Sequence, residues 1–306
     1  MSYHVPVLFD ETLDSLKVRK DGLYFDGTLG GGGHSEGILE RGGKLIATDL
    51  DAEAIEQGKK RFDKPQYAGR FVLVRDNFKN FLKILDDRGA DKIDGALFDL
   101  GISSHQVDEP TRGFSYRYDA PLDMRMNADQ SFSAYDVING YSPEKLEKIL
   151  FEYGDERFAR RIVKNIVSER SESPILTTGK LCEIIKASVP AAAQRNGNPC
   201  KKTFQAVRIE VNGELDGLDK LLTEVVSRLK PGGRLCVITF HSTEDRIVKQ
   251  NFKLNATDCI CDKRLPVCVC NHKATVKEIA KIKPSAQEIE NNGRSASATL
   301  RVVEKI

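Results

Sequence analysis

The sequence predicts an α/β protein built on a doubly wound, largely parallel sheet that a helical insertion interrupts. Three observations predict it. Short apolar runs alternate with helical patterns through the first hundred residues, the alternation stops between about Asp108 and Cys200, and it resumes from Gly213 onward. Strand–helix alternation at this spacing is what parallel strands joined by crossover helices require.

Each element follows from its pattern. Leu23-Tyr-Phe is a short apolar run ending at Asp26, followed by glycines and a helical pattern through Glu40. Lys44-Leu-Ile-Ala-Thr is a second strand ending at Asp49, with a helix over Ala52 to Phe62. Phe71-Val-Leu-Val and the segment Phe78 to Arg88 repeat the unit, and Ile93-Asp-Gly-Ala-Leu-Phe is a fourth strand ending at Asp99. The next stretch reads as helices at Ser142 to Tyr153, Glu156 to Ser168 and Thr178 to Ser188, punctuated by Asn139-Gly140, Ser173-Pro174 and Asn196-Gly-Asn-Pro199. Gly213 to Leu229 reads as an amphipathic helix, Pro231-Gly-Gly as a tight turn, Arg234 to Phe240 as a strand and Glu244 to Phe252 as a helix. Runs around Thr275 to Ile282 and Ser297 to Val303 suit a final antiparallel pair. The expected organisation is a sheet domain over 1–108 and 202–306, with a helical domain over 109–201 inserted into it.

Composition narrows the class. The 306 residues are 40% hydrophobic and 30% charged, with no tryptophan, which is ordinary for a soluble globular protein. No run approaches the roughly 18 apolar residues of a membrane span, and the N-terminus lacks the basic and apolar regions of a signal peptide. Seven cysteines, an odd number, argue for reduced thiols and a cytoplasmic location. The net charge of +2 hides an asymmetry: 157–208 holds eleven Lys or Arg against Glu169, Glu172 and Glu183, an excess of eight, so the rest of the chain sums to −6. Such a stretch has the signature of a phosphate-binding face, or more plainly of a solvated helix surface.

The loop Asp26-Gly-Thr-Leu-Gly30-Gly31-Gly32-Gly33-His34-Ser35 joins strand to helix. Glycines let backbone approach a ligand, and a helix N-terminus offers unsatisfied N–H donors. The spacing does not match G-x-G-x-x-G from any of its glycines, so a nicotinamide dinucleotide fits poorly. Asp49 ends the second strand sixteen residues beyond Gly33, where a carboxylate can accept both ribose hydroxyls. Nicotinamide and S-adenosylmethionine enzymes share that device, so it signals adenosine without choosing between them. Asp99 ends the fourth strand across the expected switch point, facing an adenine, a methionine amine or a reacting base. Pro231-Gly-Gly, the strand after it and the late antiparallel pair resemble the seven-stranded sheet of Rossmann-like class I methyltransferases.

Ordered motifs along nearly the whole chain carry a closer resemblance. They are His4-Val-Pro-Val-Leu, the Asp26 glycine loop, Asp99-Leu-Gly-Ile-Ser-Ser, Arg112-Gly-Phe-Ser, Pro121-Leu-Asp-Met-Arg-Met126 and Tyr153-Gly-Asp-Glu-Arg-Phe-Ala159. Thr203-Phe-Gln-Ala-Val-Arg-Ile209, Val211-Asn212, Pro231-Gly-Gly-Arg-Leu235 and Phe240-His-Ser-Thr-Glu-Asp-Arg246 complete the set. Together they resemble the RsmH/MraW family of 16S rRNA (cytosine-N4)-methyltransferases. The resemblance implies an S-adenosylmethionine-dependent enzyme with an inserted substrate-recognition domain, acting on 16S rRNA of the small ribosomal subunit, here through the basic stretch. It implies cofactor contacts at Gly32, Gly33, His34, Asp49, Phe78, Asp99 and Gln106. From its place at the strand end, Asp99 is also the candidate catalytic group that would orient the amine, beside the plainer reading that it serves the cofactor alone. Departures from the family pattern are His105 for Pro, Thr243 for Leu and Gly293 and Ala296 near the end.

Other constellations carry less. The Asp/Asn/Ser-Pro-Pro-aromatic motif of DNA amine methyltransferases is absent, since Asp99 precedes Leu-Gly-Ile. Phe114, Tyr116 and Tyr118 are candidates to stack on a base or to pack the insertion. Cys200 suggests a carbon-5 nucleophile, but the family usually has Ala there, which leaves a bystander thiol. Cys259-x-Cys261-x6-Cys268-x-Cys270 is a compact four-sulfur cluster, yet zinc pairs prefer two to four intervening residues, so it is a strained match for zinc beside the plainer reading of reduced, oxidisable thiols, and no metal is assigned. His241-Ser242 with Glu244-Asp245 lacks a nucleophile elbow and reads as helix capping.

Overall fold

The computed structural model describes residues 6–103, 107, 109–195, 197–262, 264–265 and 267–306. The chain divides into two compact units, Met1–Gly101 with Gly217–Ile306, and Ile102–Asp216. Both boundaries lie outside the 109–201 segment read from the sequence.

The first unit holds seven strands, β1 (Leu23–Asp26), β2 (Lys44–Asp49), β3 (Phe71–Arg75), β4 (Ile93–Asp99), β5 (Leu229–Thr239), β6 (Val276–Ile282) and β7 (Thr299–Lys305). They form one sheet in the order β3-β2-β1-β4-β5-β7-β6. β1 to β5 pair in parallel, whereas β7 runs antiparallel to both β5 and β6. This is the expected seven-stranded sheet with its late antiparallel pair. The order reverses between β1 and β4, and loops at such a point leave a crevice beyond the carboxyl ends.

Both faces are covered, as period-2 alternation requires of a sheet buried on two sides. Phe25, Ala96, Phe98, Leu235 and Val237 point to one face, against α4 (Phe81–Asp86), α11 (Leu218–Arg228) and α12 (Ser242–Asn255). Tyr24, Leu45, Ala47, Leu97, Cys236 and Ile238 point to the other, against α1 (Phe9–Leu16), α2 (Gly33–Glu40) and α3 (Ala52–Phe62).

The second unit is helical: α5 (Ala134–Gly140), α6 (Pro143–Gly154), α7 (Ala159–Glu172), α8 (Thr178–Ser188), α9 (Ala191–Gln194) and α10 (Cys200–Asn212). Its core draws Val137, Leu146, Ile149, Ile162, Ile166, Leu181, Ile185, Phe204 and Val207 from successive helices. A short helix, α13 (Ala286–Asn291), precedes β7 in the first unit.

Three sequence expectations need correction. The helix expected from Gly213 begins at Leu218, because Gly213 and Gly217 both sit in the left-handed region (φ 56° and 66°), one closing α10 and one opening α11. Pro231-Gly-Gly is no separating turn: β5 runs through it, with a register shift against β4 between the pairs Ile93–Leu229 and Gly95–Arg234. The segment from Phe78 opens as a 3₁₀ turn, Phe78–Asn80, before α4.

Candidate functional site

The carboxyl ends of β1, β2 and β4 each finish in an aspartate: Asp26, Asp49 and Asp99. Asp26 is buried and anchors the glycine loop. Its carboxylate accepts from Ser35 Oγ at 2.7 Å and from the Thr28 amide at 3.0 Å. Burial pushes its carboxyl above the usual range despite those bonds. The loop is held further by Gly27 N donating to Leu97 O and Leu29 N to Thr48 O, both at 2.9 Å.

Glycine is required where the loop turns. Gly30 and Gly32 have φ of 49° and 75°, and Gly32 caps α2 in the left-handed region. A Cβ on Gly33 would meet the Pro6 ring at 2.2 Å, whereas one on Gly31 would meet nothing within 4 Å. The outer side of the turn is thus open backbone.

Asp49 grips this turn from β2. Its Oδ2 accepts from the Gly30 amide at 2.8 Å and its Oδ1 from the Asp51 amide at 2.9 Å. Each oxygen keeps a further lone pair, so a bidentate acceptor remains available to two hydroxyls. Burial, with Asp51 and Asp26 nearby, pushes its carboxyl up to about 6.

Asp99 is more isolated. Its backbone N–H donates to Thr28 Oγ1 at 2.6 Å, but its Oδ1 is buried without a hydrogen-bond partner. Burial and the carboxylates of Asp26 and Glu244 push it up to about 8. Its Oδ2 lies 3.8 Å from His34 Nδ1. That contact is no ion pair, because burial lowers the His34 imidazole to about 4 and keeps it neutral. His34 Nε2 is also buried and unpartnered, and Phe9 stacks on the ring at 5.9 Å. Orphaned buried polar atoms on two neighbouring side chains are what an absent ligand would satisfy.

Phe78 stands half-buried beyond β3, its ring edge-on to Phe98 at 5.7 Å. It is both a core contact and an apolar wall. Glu244, buried at the start of α12, accepts from the Phe240 amide at 3.0 Å, with His241 Nε2 2.9 Å from its other oxygen. The next residue, Asp245, receives the Arg301 guanidinium through two bonds of 2.7 and 2.9 Å. The Glu-Asp pair of that motif therefore builds the helix start and ties it to β7.

The structure gathers Gly32, Gly33, His34, Asp49, Phe78 and Asp99 in the sheet unit; Gln106 lies outside the described residues. Among their neighbours, Thr28 is one that sequence reasoning gave no role, Asp26 was read only as a strand end and Glu244 only as helix capping. The signal for Asp26 was present, since it ends its strand as Asp49 and Asp99 end theirs. The set crowds carboxylates, which suits a cation and repels a dianionic pyrophosphate.

In the helical unit, Arg157, Arg161, Lys164, Lys186, Arg195 and Lys201 are exposed and have no ion-pair partner among the described residues. Arg170 instead donates to the carbonyls of Ile138 and Tyr141, and Arg208 pairs with Glu214 at 2.8 Å. Phe114 is buried and Tyr116 packs edge-on to Phe204, so of the three aromatics only Tyr118 is largely exposed, at 54%. Cys200 is fully buried at the start of α10. No helix among the described residues is long and apolar enough to cross a membrane.

Comparison with known proteins adds the lineage. The ribosomal RNA small subunit methyltransferase H of Fusobacterium nucleatum is 53% identical over 309 residues, spanning 99% of this chain and 97% of its own. Proteins of the same name from Clostridium botulinum (strain Kyoto) and Clostridioides difficile are 51% and 49% identical, each alignment covering 99% of both chains. A solved rRNA methylase from Streptococcus thermophilus overlaps 99% of both chains at a TM-score of 0.43 and 13% identity, too slight a likeness to bear on function. With a family model matched over residues 1–306 as well, the chain belongs to the MraW methylase family.

Proposed function

We propose that the chain transfers a methyl group from S-adenosylmethionine to the exocyclic N4 amine of a cytosine in 16S rRNA of the small ribosomal subunit, in the cytoplasm. The observation that carries this reading is the unpartnered Asp99 carboxylate, set among Asp26 and Glu244 beside the open Gly30–Gly33 turn. S-adenosylmethionine supplies an electrophilic methyl on a sulfonium cation. A cation of that kind relieves the crowded carboxylates, where a dinucleotide would worsen the repulsion.

The residues divide the work. Asp49 accepts the ribose hydroxyls while holding Gly30, and the open backbone at Gly31 to Gly33 admits the rest of the cofactor. Phe78 walls one side of the adenine. Asp99 and neutral His34 offer one acceptor and one ring nitrogen to the cofactor's polar groups. The N4 lone pair is delocalised into the cytosine ring, so the amine needs to be held in line with the methyl, and positioning alone can supply several kcal/mol. The base is splayed out and read on its edge, with Tyr118 as a candidate stacking surface. The exposed cations of 157–208 bind the phosphates. Free thiols at all seven cysteines fit a reducing compartment.

Nucleoside mass spectrometry of rRNA incubated with protein and cofactor tests this. N4-methylcytidine is expected from the native chain. Asp49→Ala should weaken S-adenosylmethionine binding by about 10–100-fold, the worth of one charge-assisted bond. Unmodified cytosine with intact rRNA binding would leave only an RNA-binding protein.

A further inference from the structure

The connection from α12 to β6 has no role in the cofactor crevice. Its described residues within 256–275 run between these elements without regular secondary structure. Long irregular connections of that kind are uncommon in compact domains unless something closes them. Here no apolar core does so, since Ile260, Leu265, Val267 and Val269 are 49–71% exposed. The base of the loop is pinned, with Thr275 N donating to Asn255 O at 2.8 Å and Ala274 N to Asp258 Oδ1 at 3.2 Å.

The tip holds four thiols. The sulfur atoms of Cys259, Cys261, Cys268 and Cys270 all lie within 4.8 Å of one another. Separations are 3.5 Å for Cys259–Cys268, 3.6 Å for Cys268–Cys270, 3.9 Å for Cys259–Cys270 and 4.0 Å for Cys261–Cys268. A tetrahedral site with zinc–sulfur bonds of about 2.3 Å spaces its sulfurs about 3.8 Å apart. All four are free thiols at distances well beyond a disulfide bond of about 2.05 Å.

Backbone amides are aimed at the sulfurs. Ile260 N donates to Cys270 Sγ at 3.4 Å, Val269 N to Cys261 Sγ at 3.3 Å, and His272 N to Cys270 Sγ at 3.5 Å. The first two are reciprocal: the middle residue of each C-x-C turn donates to a sulfur of the other. Such N–H groups orient sulfur ligands and favour the thiolate. They also explain how C-x-C pairs, too tight to chelate comfortably one at a time, face each other and share one centre.

We propose that Cys259, Cys261, Cys268 and Cys270 bind one zinc ion as a closed tetrathiolate site that holds the 256–275 loop between α12 and β6. Four S–H bonds break, four sulfur–zinc bonds form, and four protons pass to solvent, so affinity rises with pH. With four protein ligands no position remains for water or substrate, and the site is structural.

The test uses the full chain, purified under reducing conditions without chelator. Elemental analysis should read one zinc per chain. Titration of the metal-stripped protein with cobalt(II) alone should saturate at one equivalent, with the thiolate charge-transfer and visible bands of tetrahedral cobalt, and zinc should then displace it. Cys259→Ser and Cys268→Ser should each lower cobalt affinity by more than about ten-fold, the least that losing even an outer-shell partner costs. Far-UV circular dichroism of both variants distinguishes ligand loss from unfolding, and the wild-type titration stands apart from either. Absence of zinc, iron in its place, an octahedral cobalt spectrum, or folded serine variants that bind cobalt as the native chain does would each overturn the assignment.

Discussion

Asp99 joins an unusual protonation state to a strand end whose place the sequence already marked. Its folded carboxyl stands at about 8, pushed up by burial and by Asp26 and Glu244. A carboxyl raised in the folded state binds more protons there than in the unfolded chain. Its contribution to stability is fully present below its unfolded value of about 4 and is lost as the pH climbs through the folded value. Asp99→Asn removes the cost of ionisation without changing shape. The thermal midpoint of the cofactor-free variant should exceed wild type at pH 8, by about 2–4 °C per kcal/mol relieved. The gain should shrink steadily as the pH falls to 5. Thermal scans across that range check it, and an identical profile for both proteins would mean Asp99 ionises normally. The sequence marked Asp49 and Asp99 by position at strand ends, but it did not disclose that one keeps backbone donors on both oxygens while the other has an oxygen with none. That difference depends on the amides of Gly30 and Asp51, whose hydrogen bonds exist only once the loop is folded.

At the scale of elements, the turn after β1 shows how tightly the crevice is specified by packing. A Cβ at Gly27 would stand 2.3 Å from the Phe98 ring, which is fully buried between Phe25 and Phe78. Gly27→Ala should destabilise the protein by about 1–3 kcal/mol through overpacking. It should also weaken cofactor binding by displacing Phe78. A urea midpoint that falls at unchanged slope would register the first effect; an unchanged midpoint would show that Phe98 yields freely. The strands and α3 and α8 were legible because period and caps agree: Asp51 and Thr177 each accept from an amide two or three residues on. Of the helices that escaped the reading, two did so for the converse reason. α1 opens at Leu8 in the left-handed region and α10 opens at Pro199, neither with a side-chain cap bond. The family motifs of the helical unit were likewise visible without their meaning. Arg112 donates to the carbonyls of Arg125 and Met126, and Asn212 both accepts from the Met126 amide and donates to Met124 O. These residues lace one irregular segment together.

For the molecule as a whole, the charge asymmetry read from the sequence becomes a surface. Nine of the eleven cations in 157–208 are exposed, and only Arg170 and Arg208 are drawn inward. Alanine at Arg161, Lys164 or Lys201 should weaken rRNA binding and flatten the dependence of log affinity on log salt by about 0.7 for each single-strand phosphate left without its cation. Cofactor affinity should stay unchanged. Weaker binding at an unaltered salt slope would show that the replaced side chain does not reach a phosphate. The helical unit is a continuous stretch of chain, whereas the sheet unit is assembled from segments on either side of it. During synthesis, β4 therefore waits with a bare hydrogen-bonding edge until β5 has been made, more than a hundred residues later. The intervening helices have every residue they need to fold in that interval. An exposed parallel strand is a site for wrong pairing, so ribosome-bound chains halted near Asp216 should depend on chaperones far more than chains halted beyond Lys305.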